Sequence, residues 1–321
     1  MNGRMDLIMD FIDYQVRLFQ TQDAGHGGFM FYHFIVLLFG VFPASVFALR
    51  AFKQCGETDF QRTAKRFMII LLAVVLTVFT IVNTKIVHYS SLSYFPLTYL
   101  SAFSLYHLHL RNMKWTKPFG VLLVFCVFVI ALVLLTIPLI GIYTDEMIGL
   151  IEIKDTFALA NLEADVHWSG FEFLTGIFFL VACIVSIFYF RKTKKTAGLL
   201  AIFATTLICT QLIIYFYTPK IERYTQHAAI EFYQQLQNKD CHVETLGFKS
   251  YAHLFYSRKQ QPENDRHLTT KEMLTGKIEK NAYFVCKINR KSKYLELYPE
   301  LKLLYEKNGF VFLIRRTGSE I

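Results

Sequence analysis

Polar and apolar residues along this chain separate into long blocks. Six blocks are long and apolar enough to be read as membrane spans: 29–49, 67–82, 91–108, 119–143, 170–190 and 198–217, the third interrupted by Pro96. A hydrocarbon core of about 30 Å takes roughly 20 apolar residues of helix, and a crossing segment has to satisfy its own backbone hydrogen bonds. Period-2 alternation, the mark of a transmembrane barrel, is missing from all six. The predicted class is an α-helical polytopic membrane protein of about six transmembrane helices, followed by a small α/β domain.

Finer patterns lie outside the spans. In the N-terminal tail Leu7, Ile8, Phe11, Ile12 and Leu18 fall at helical spacing with Asp10, Asp13 and Arg17 opposite, which predicts a helix lying on a membrane surface. Gly25, Gly27 and Gly28 end it, with His26 just before the first span. A second surface helix is predicted within 146–163, and Trp168 suits an aromatic anchor at the start of the fifth span. Residues 1–28 are thus read as a surface helix and loop, 29–217 as the transmembrane domain and 218–321 as the α/β domain. In that last part "HVETLG", "NAYFVCKI" and "FVFLIRR" read as strands. "PELKLLYEKNG" reads as a helix stopped at Asn308-Gly309.

Composition agrees: 54% of the 321 residues are hydrophobic and only 18% charged, which excludes an ordinary soluble domain. Charge adds orientation. Arg50, Lys53, Arg62, Lys65 and Arg66, then Arg111, Lys114 and Lys117, then Arg191, Lys192, Lys194 and Lys195 crowd one set of loops. The alternate loops hold only Lys85 and Lys154 as bases. Basic loops stay in the cytoplasm, so the N-terminal tail and everything beyond Pro219 are expected outside it, in a bacterial cytoplasmic (inner) membrane. A hydrophilic tail sent outward without a signal peptide suggests spans upstream of this sequence, a larger or split protein whose N-terminal half is a separate partner chain. The outer α/β domain carries a net charge of +6 but no phosphate loop, dinucleotide fingerprint or zinc pair, and its placement argues against nucleic acid.

Candidate chemistry gathers in "NTKIVHYSSLSYFPL", residues 83–97. Lys85 could simply snorkel to head groups. Together with His88 and Tyr89 it offers a fixed cation, a titratable donor and a phenol at the depth of lipid phosphates, with Ser90 and Ser91 as further donors. Pro96 would break the third span beside a cavity. Glu172, about one turn inside the fifth span, is read as structural or functional; His107 and His109 are read as interfacial. Cys241 and Cys286, both outside, are candidates for a disulfide. No metal site is evident.

Taken together, "HGGFMFYHFIVLLFGVFPAS" (26–45) and "KIVHYSSLSYFPLTYL" (85–100), followed by further spans and an outer α/β domain, resemble the C-terminal half of bacterial GT-C glycosyltransferases of the aminoarabinose lipid A transferase and protein mannosyltransferase group. The resemblance implies inverting transfer of a sugar from a polyprenyl-phosphate carrier to an extracytoplasmic acceptor. It also implies a carrier-phosphate site of Lys85, His88, Tyr89 and His26. In that group the general base is a carboxylate in the first outer loop of the full enzyme, which this sequence lacks. A non-catalytic polyprenyl-phosphate or lipid binding or transport protein is the alternative.

Overall fold

The computed structural model describes residues 5–20, 28–53, 56–110, 116–150, 152–192, 195–259 and 268–317. In chain order the first helices are α1 (Met5–Gln20), α2 (Tyr32–Gly40), α3 (Ala44–Ala51), α4 (Asp59–Ile81), α5 (Tyr94–Leu110), α6 (Lys117–Ile142), α7 (Thr144–Leu150), α8 (Thr156–Leu162), α9 (Phe173–Lys192) and α10 (Lys195–Phe216). A 3-10 helix, Val87–Ser93, leads directly into α5. Then follow α11 (Thr218–Thr225), α12 (His227–Gln235), β1 (His242–Leu246), α13 (Ala252–Ser257), α14 (Thr270–Thr275), β2 (Ala282–Lys287), α15 (Lys291–Leu297), β3 (Lys302–Lys307) and β4 (Phe310–Arg315). The chain divides into two compact units, Met1–Leu135 with Leu174–Gln211, and Thr136–Phe173 with Leu212–Ile321.

Among the described residues four helices have the length and hydropathy to cross a membrane: α4, α6, α9 and α10 continued by α11. Their outward faces carry bare apolar side chains such as Ile70, Val74, Phe125, Phe128, Leu132, Val181 and Leu207, which suit lipid and not water. The first expected span is instead a pair, α2 and α3, bent by 111°. The third, α5, has 17 described residues, about 26 Å of helix. The multi-pass helical class holds, with four to five such spans among the described residues where about six were expected. Pro96 does not break α5: it sits in the first turn, where its missing N–H has no intrahelical partner to lose.

Within the first unit the core lies between α3 and α5. Leu37, Ala48, Ala51, Leu72, Leu97, Leu100 and Phe103 form one buried cluster, and small residues on α3 let α5 approach closely. His107, expected at the interface, is buried on α5, its Nδ1 2.9 Å from the Phe103 carbonyl oxygen. His109 belongs to α5 as well.

In the second unit a four-stranded sheet, ordered β1-β2-β4-β3, has β1 parallel to β2 and the remaining pairs antiparallel. Both faces are covered. One carries Phe232 and Tyr233 of α12 and the Leu236 that follows it against Val243, Val285, Phe310 and Phe312. The other carries Met273 and Leu274 of α14 against Phe284, Cys286, Val311 and Leu313. Strand alternation therefore separates Cys241 from Cys286: they belong to opposite faces, each is a free buried thiol, and the considered disulfide does not form.

The expected helix over 299–309 is the strand β3. Asn308 and Gly309 at φ +48° and +78° make a tight turn that pairs it with β4. The surface helix expected within 146–163 is two short helices, α7 and α8, the second capped by Asp155, whose Oδ1 accepts from Phe157 N at 2.9 Å. Phe157 packs edge-on against Phe310, 5.3 Å between centroids, beside the hairpin turn. A Cβ on Gly309 would come within 2.9 Å of Phe157 Cδ2 and 3.0 Å of Asn161 Oδ1, at a backbone angle side chains resist. Gly309→Ala is expected to destabilise this unit by about 1–3 kcal/mol; an unchanged unfolding midpoint would contradict that packing.

Candidate functional site

The first unit assembles the stretch read from sequence as the candidate site. α4 ends at Ile81, and its last carbonyls have no intrahelical donors. Lys85 folds back to supply one, its Nζ donating to the Phe79 and Thr80 carbonyl oxygens at 2.8 Å each. The ammonium thus sits at the negative end of the helix dipole and is only 6% exposed. It does not snorkel. Burial pulls its pKa below the ordinary lysine value. Gly28 lies against its stem, where a Cβ would come within 2.9 Å of Lys85 Cγ.

Val87–Ser93 then turns as a 3-10 helix, so successive side chains point about 120° apart. His88 is exposed, its ring edge-on to that of its neighbour Tyr89, ring centroids 5.1 Å apart. Tyr89 is half-buried and lies on Phe79 at 5.6 Å. Ser90 is buried, whereas Ser91 is exposed. Lys85 and Tyr89 therefore converge on one residue, Phe79, through its carbonyl and its ring respectively. His26 lies outside the described residues.

His33 was not singled out from the sequence. It is fully buried on α2, its Nδ1 3.0 Å from Ser90 Oγ, with its ring against Tyr32 at 5.1 Å and Phe79 at 5.8 Å. The available signal was an ionisable residue inside the apolar run "FMFYHFIVLLFG".

In the second unit Glu172, expected about one turn inside the fifth span, lies just ahead of α9; it is 2% exposed and paired with Lys220 of α11 at 2.8 Å. Ser169 Oγ donates to the same carboxylate oxygen at 3.0 Å, and Tyr217 OH donates to the Glu172 carbonyl oxygen at 2.8 Å. Lys220 also donates to the His167 carbonyl oxygen and lies over the Trp168 ring at 5.1 Å. Trp168, expected as an interface anchor, is buried and donates through Nε1 to Tyr224 OH at 3.1 Å. Burial would push the Glu172 carboxyl up, but hydrogen bonds from Lys220, its own backbone amide and Ser169, with the Lys220 charge, outweigh it and hold the pKa at about 2. Such a group is a permanently charged anchor and a poor proton acceptor near neutral pH.

Among the described residues no three His, Cys, Asp or Glu side chains come together to hold a metal ion. No protein family model matches the chain, and no curated protein does. Solved structures do match. The crystal structure of ArnT from Cupriavidus metallidurans bound to undecaprenyl phosphate superposes with a TM-score of 0.58 at 15% identity, over 96% of this chain and 55% of that one. The chain shares the fold of ArnT. The apo crystal structure of ArnT from the same organism matches with a TM-score of 0.50 at 14% identity, over 92% of this chain and 53% of that one. The chain therefore spans about half the length of the ArnT structures it matches.

Proposed function

We propose that this chain is the carrier-binding portion of a membrane glycosyltransferase. It takes a sugar from a polyprenyl-phosphate carrier to an extracytoplasmic acceptor, together with an upstream chain that supplies the catalytic carboxylate. Residues 1–28 and 218–321 lie on the outer side of the bacterial cytoplasmic membrane and 29–217 form the membrane domain. The observation that carries the reading is the fixed ammonium of Lys85. Two of its three N–H groups are bound to α4, so its position is set before any ligand arrives, and the third remains for a phosphate oxygen.

Cleaving the anomeric C–O bond leaves the carrier phosphate with developing negative charge. A preorganised, poorly hydrated cation stabilises that charge more in the transition state than in the ground state. Tyr89 and His88 add donors beside it, and His26 is the further residue assigned to the site. The ArnT fold, solved with undecaprenyl phosphate, supports the choice of carrier.

The test is binding of undecaprenyl phosphate against undecaprenol, its uncharged counterpart, to the full chain in nanodiscs. A preference for the phosphate of at least about tenfold is expected from one charge-assisted contact; equal affinities would remove the site. Co-expression with an upstream chain bearing an acidic first outer loop should restore sugar transfer. Carrier binding without transfer under any pairing favours a lipid-phosphate binding protein instead.

A further inference from the structure

We infer that His33 is a positioning residue for the carrier-phosphate site, setting through Ser90 the rotation of the 3-10 helix that presents His88 and Tyr89. The inference rests on the carrier-phosphate reading above and extends it to a residue outside the motif stretch.

Three observations carry it. First, His33 is fully buried in an otherwise apolar segment, where an imidazole costs more to bury than the leucines and phenylalanines around it. Packing alone would be served better by an apolar residue. Second, its Nδ1 lies 3.0 Å from Ser90 Oγ, a contact that bridges α2 and the 3-10 helix across 57 residues of sequence. Third, the ring of His33 rests on Phe79, the residue whose carbonyl holds Lys85 and whose ring supports Tyr89.

Short 3-10 helices have poor internal hydrogen bonds and are held in place by what surrounds them. With three residues per turn, His88, Tyr89 and Ser90 occupy the three directions of one turn, so pinning Ser90 inward determines where the other two point. Ser90 makes only a long contact within its own helix, 3.4 Å to the Val87 carbonyl oxygen. The bond to His33 is therefore the stronger restraint on that turn.

The experiment measures binding of undecaprenyl phosphate and of undecaprenol to the full chain in nanodiscs, for wild type, His33→Leu, His33→Asn, His33→Gln and Ser90→Ala. Asparagine places an amide group where Nδ1 stands and glutamine places one where Nε2 stands, so the two separate the role of this hydrogen bond from that of ring volume. Phosphate binding is expected to fall about fivefold to tenfold in His33→Leu and His33→Gln, the effect of one lost hydrogen bond, and to stay within about twofold in His33→Asn. Undecaprenol binding should not change. Ser90→Ala tests the same bond from its other end if His33→Leu fails to fold: an equal loss is expected, with no further loss on combining it with His33→Gln. Unchanged phosphate binding in both His33→Leu and Ser90→Ala, or equal losses for phosphate and alcohol, would overturn the assignment. If wild type shows no preference for the phosphate, the carrier reading itself fails; if Lys85→Met abolishes that preference while the His33 and Ser90 variants keep it, only the positioning role fails.

Discussion

Lys220→Met is expected to destabilise the second unit by about 3–5 kcal/mol, the cost of stranding one member of a buried ion pair. Glu172 is 2% exposed and Lys220 20% exposed, so the carboxylate cannot turn to water while its backbone stays in place. One oxygen of the carboxylate receives Lys220 and Ser169, and the other, Oε2, is buried without a partner among the described residues. Removing the ammonium leaves a desolvated carboxylate held by Ser169 and its own backbone amide, with no countercharge from Lys220.

The pH dependence has a definite sign. The folded carboxyl titrates at about 2 and the ordinary value is 4.5, so its contribution is fully present above about pH 4.5 and is lost as pH falls toward 2. That interval corresponds to about 3 kcal/mol, in line with the mutational figure. In Lys220→Met the carboxyl loses the hydrogen bond and the charge from Lys220 that lower its pKa, so the variant gains stability relative to wild type on acidification. Unfolding measured in mixed micelles between pH 7 and pH 3 checks both statements. A variant whose deficit is the same at both ends of that range would show that Glu172 is not the titrating group.

Lys85→Met is expected to weaken undecaprenyl-phosphate binding by about 10-fold to 100-fold, the range for one hydrogen bond to a charged group. Undecaprenol binding should stay nearly constant, because the substitution keeps the apolar stem that lies against Gly28. Arginine is not a conservative replacement here: its planar fork cannot cap two successive carbonyls and still offer a compact third donor. Lys85→Arg should therefore lose most of the preference for phosphate while keeping the charge. Titration of both variants with both lipids decides it, and full phosphate affinity in Lys85→Met would sink the proposed site.

Several readings show where local rules end. Leu301, Leu303, Leu304 and Asn308-Gly309 fit a helix with a stop, and equally a strand followed by a hairpin turn. Only the partner β4 chooses between them, by supplying the ladder. Pro96 reads as a break when the span is drawn from 91 and as an ordinary first-turn proline once the 3-10 helix occupies 87–93. The bent pair α2 and α3 is invisible to hydropathy because bending leaves composition unchanged.

By itself the amino-acid sequence determined that this is a multi-pass helical membrane protein with a mixed α/β domain at its end. Those properties sum over many residues, and no single contact can reverse them. It also marked Lys85, His88 and Tyr89, because charge and polarity stand out against apolar neighbours. Tertiary structure alone decided that Lys85 folds back onto α4, that Glu172 meets Lys220 beyond two further helices, and that His33 reaches Ser90. Each depends on one hydrogen-bond geometry between segments far apart in sequence, and such geometry exists only after the chain has closed on itself.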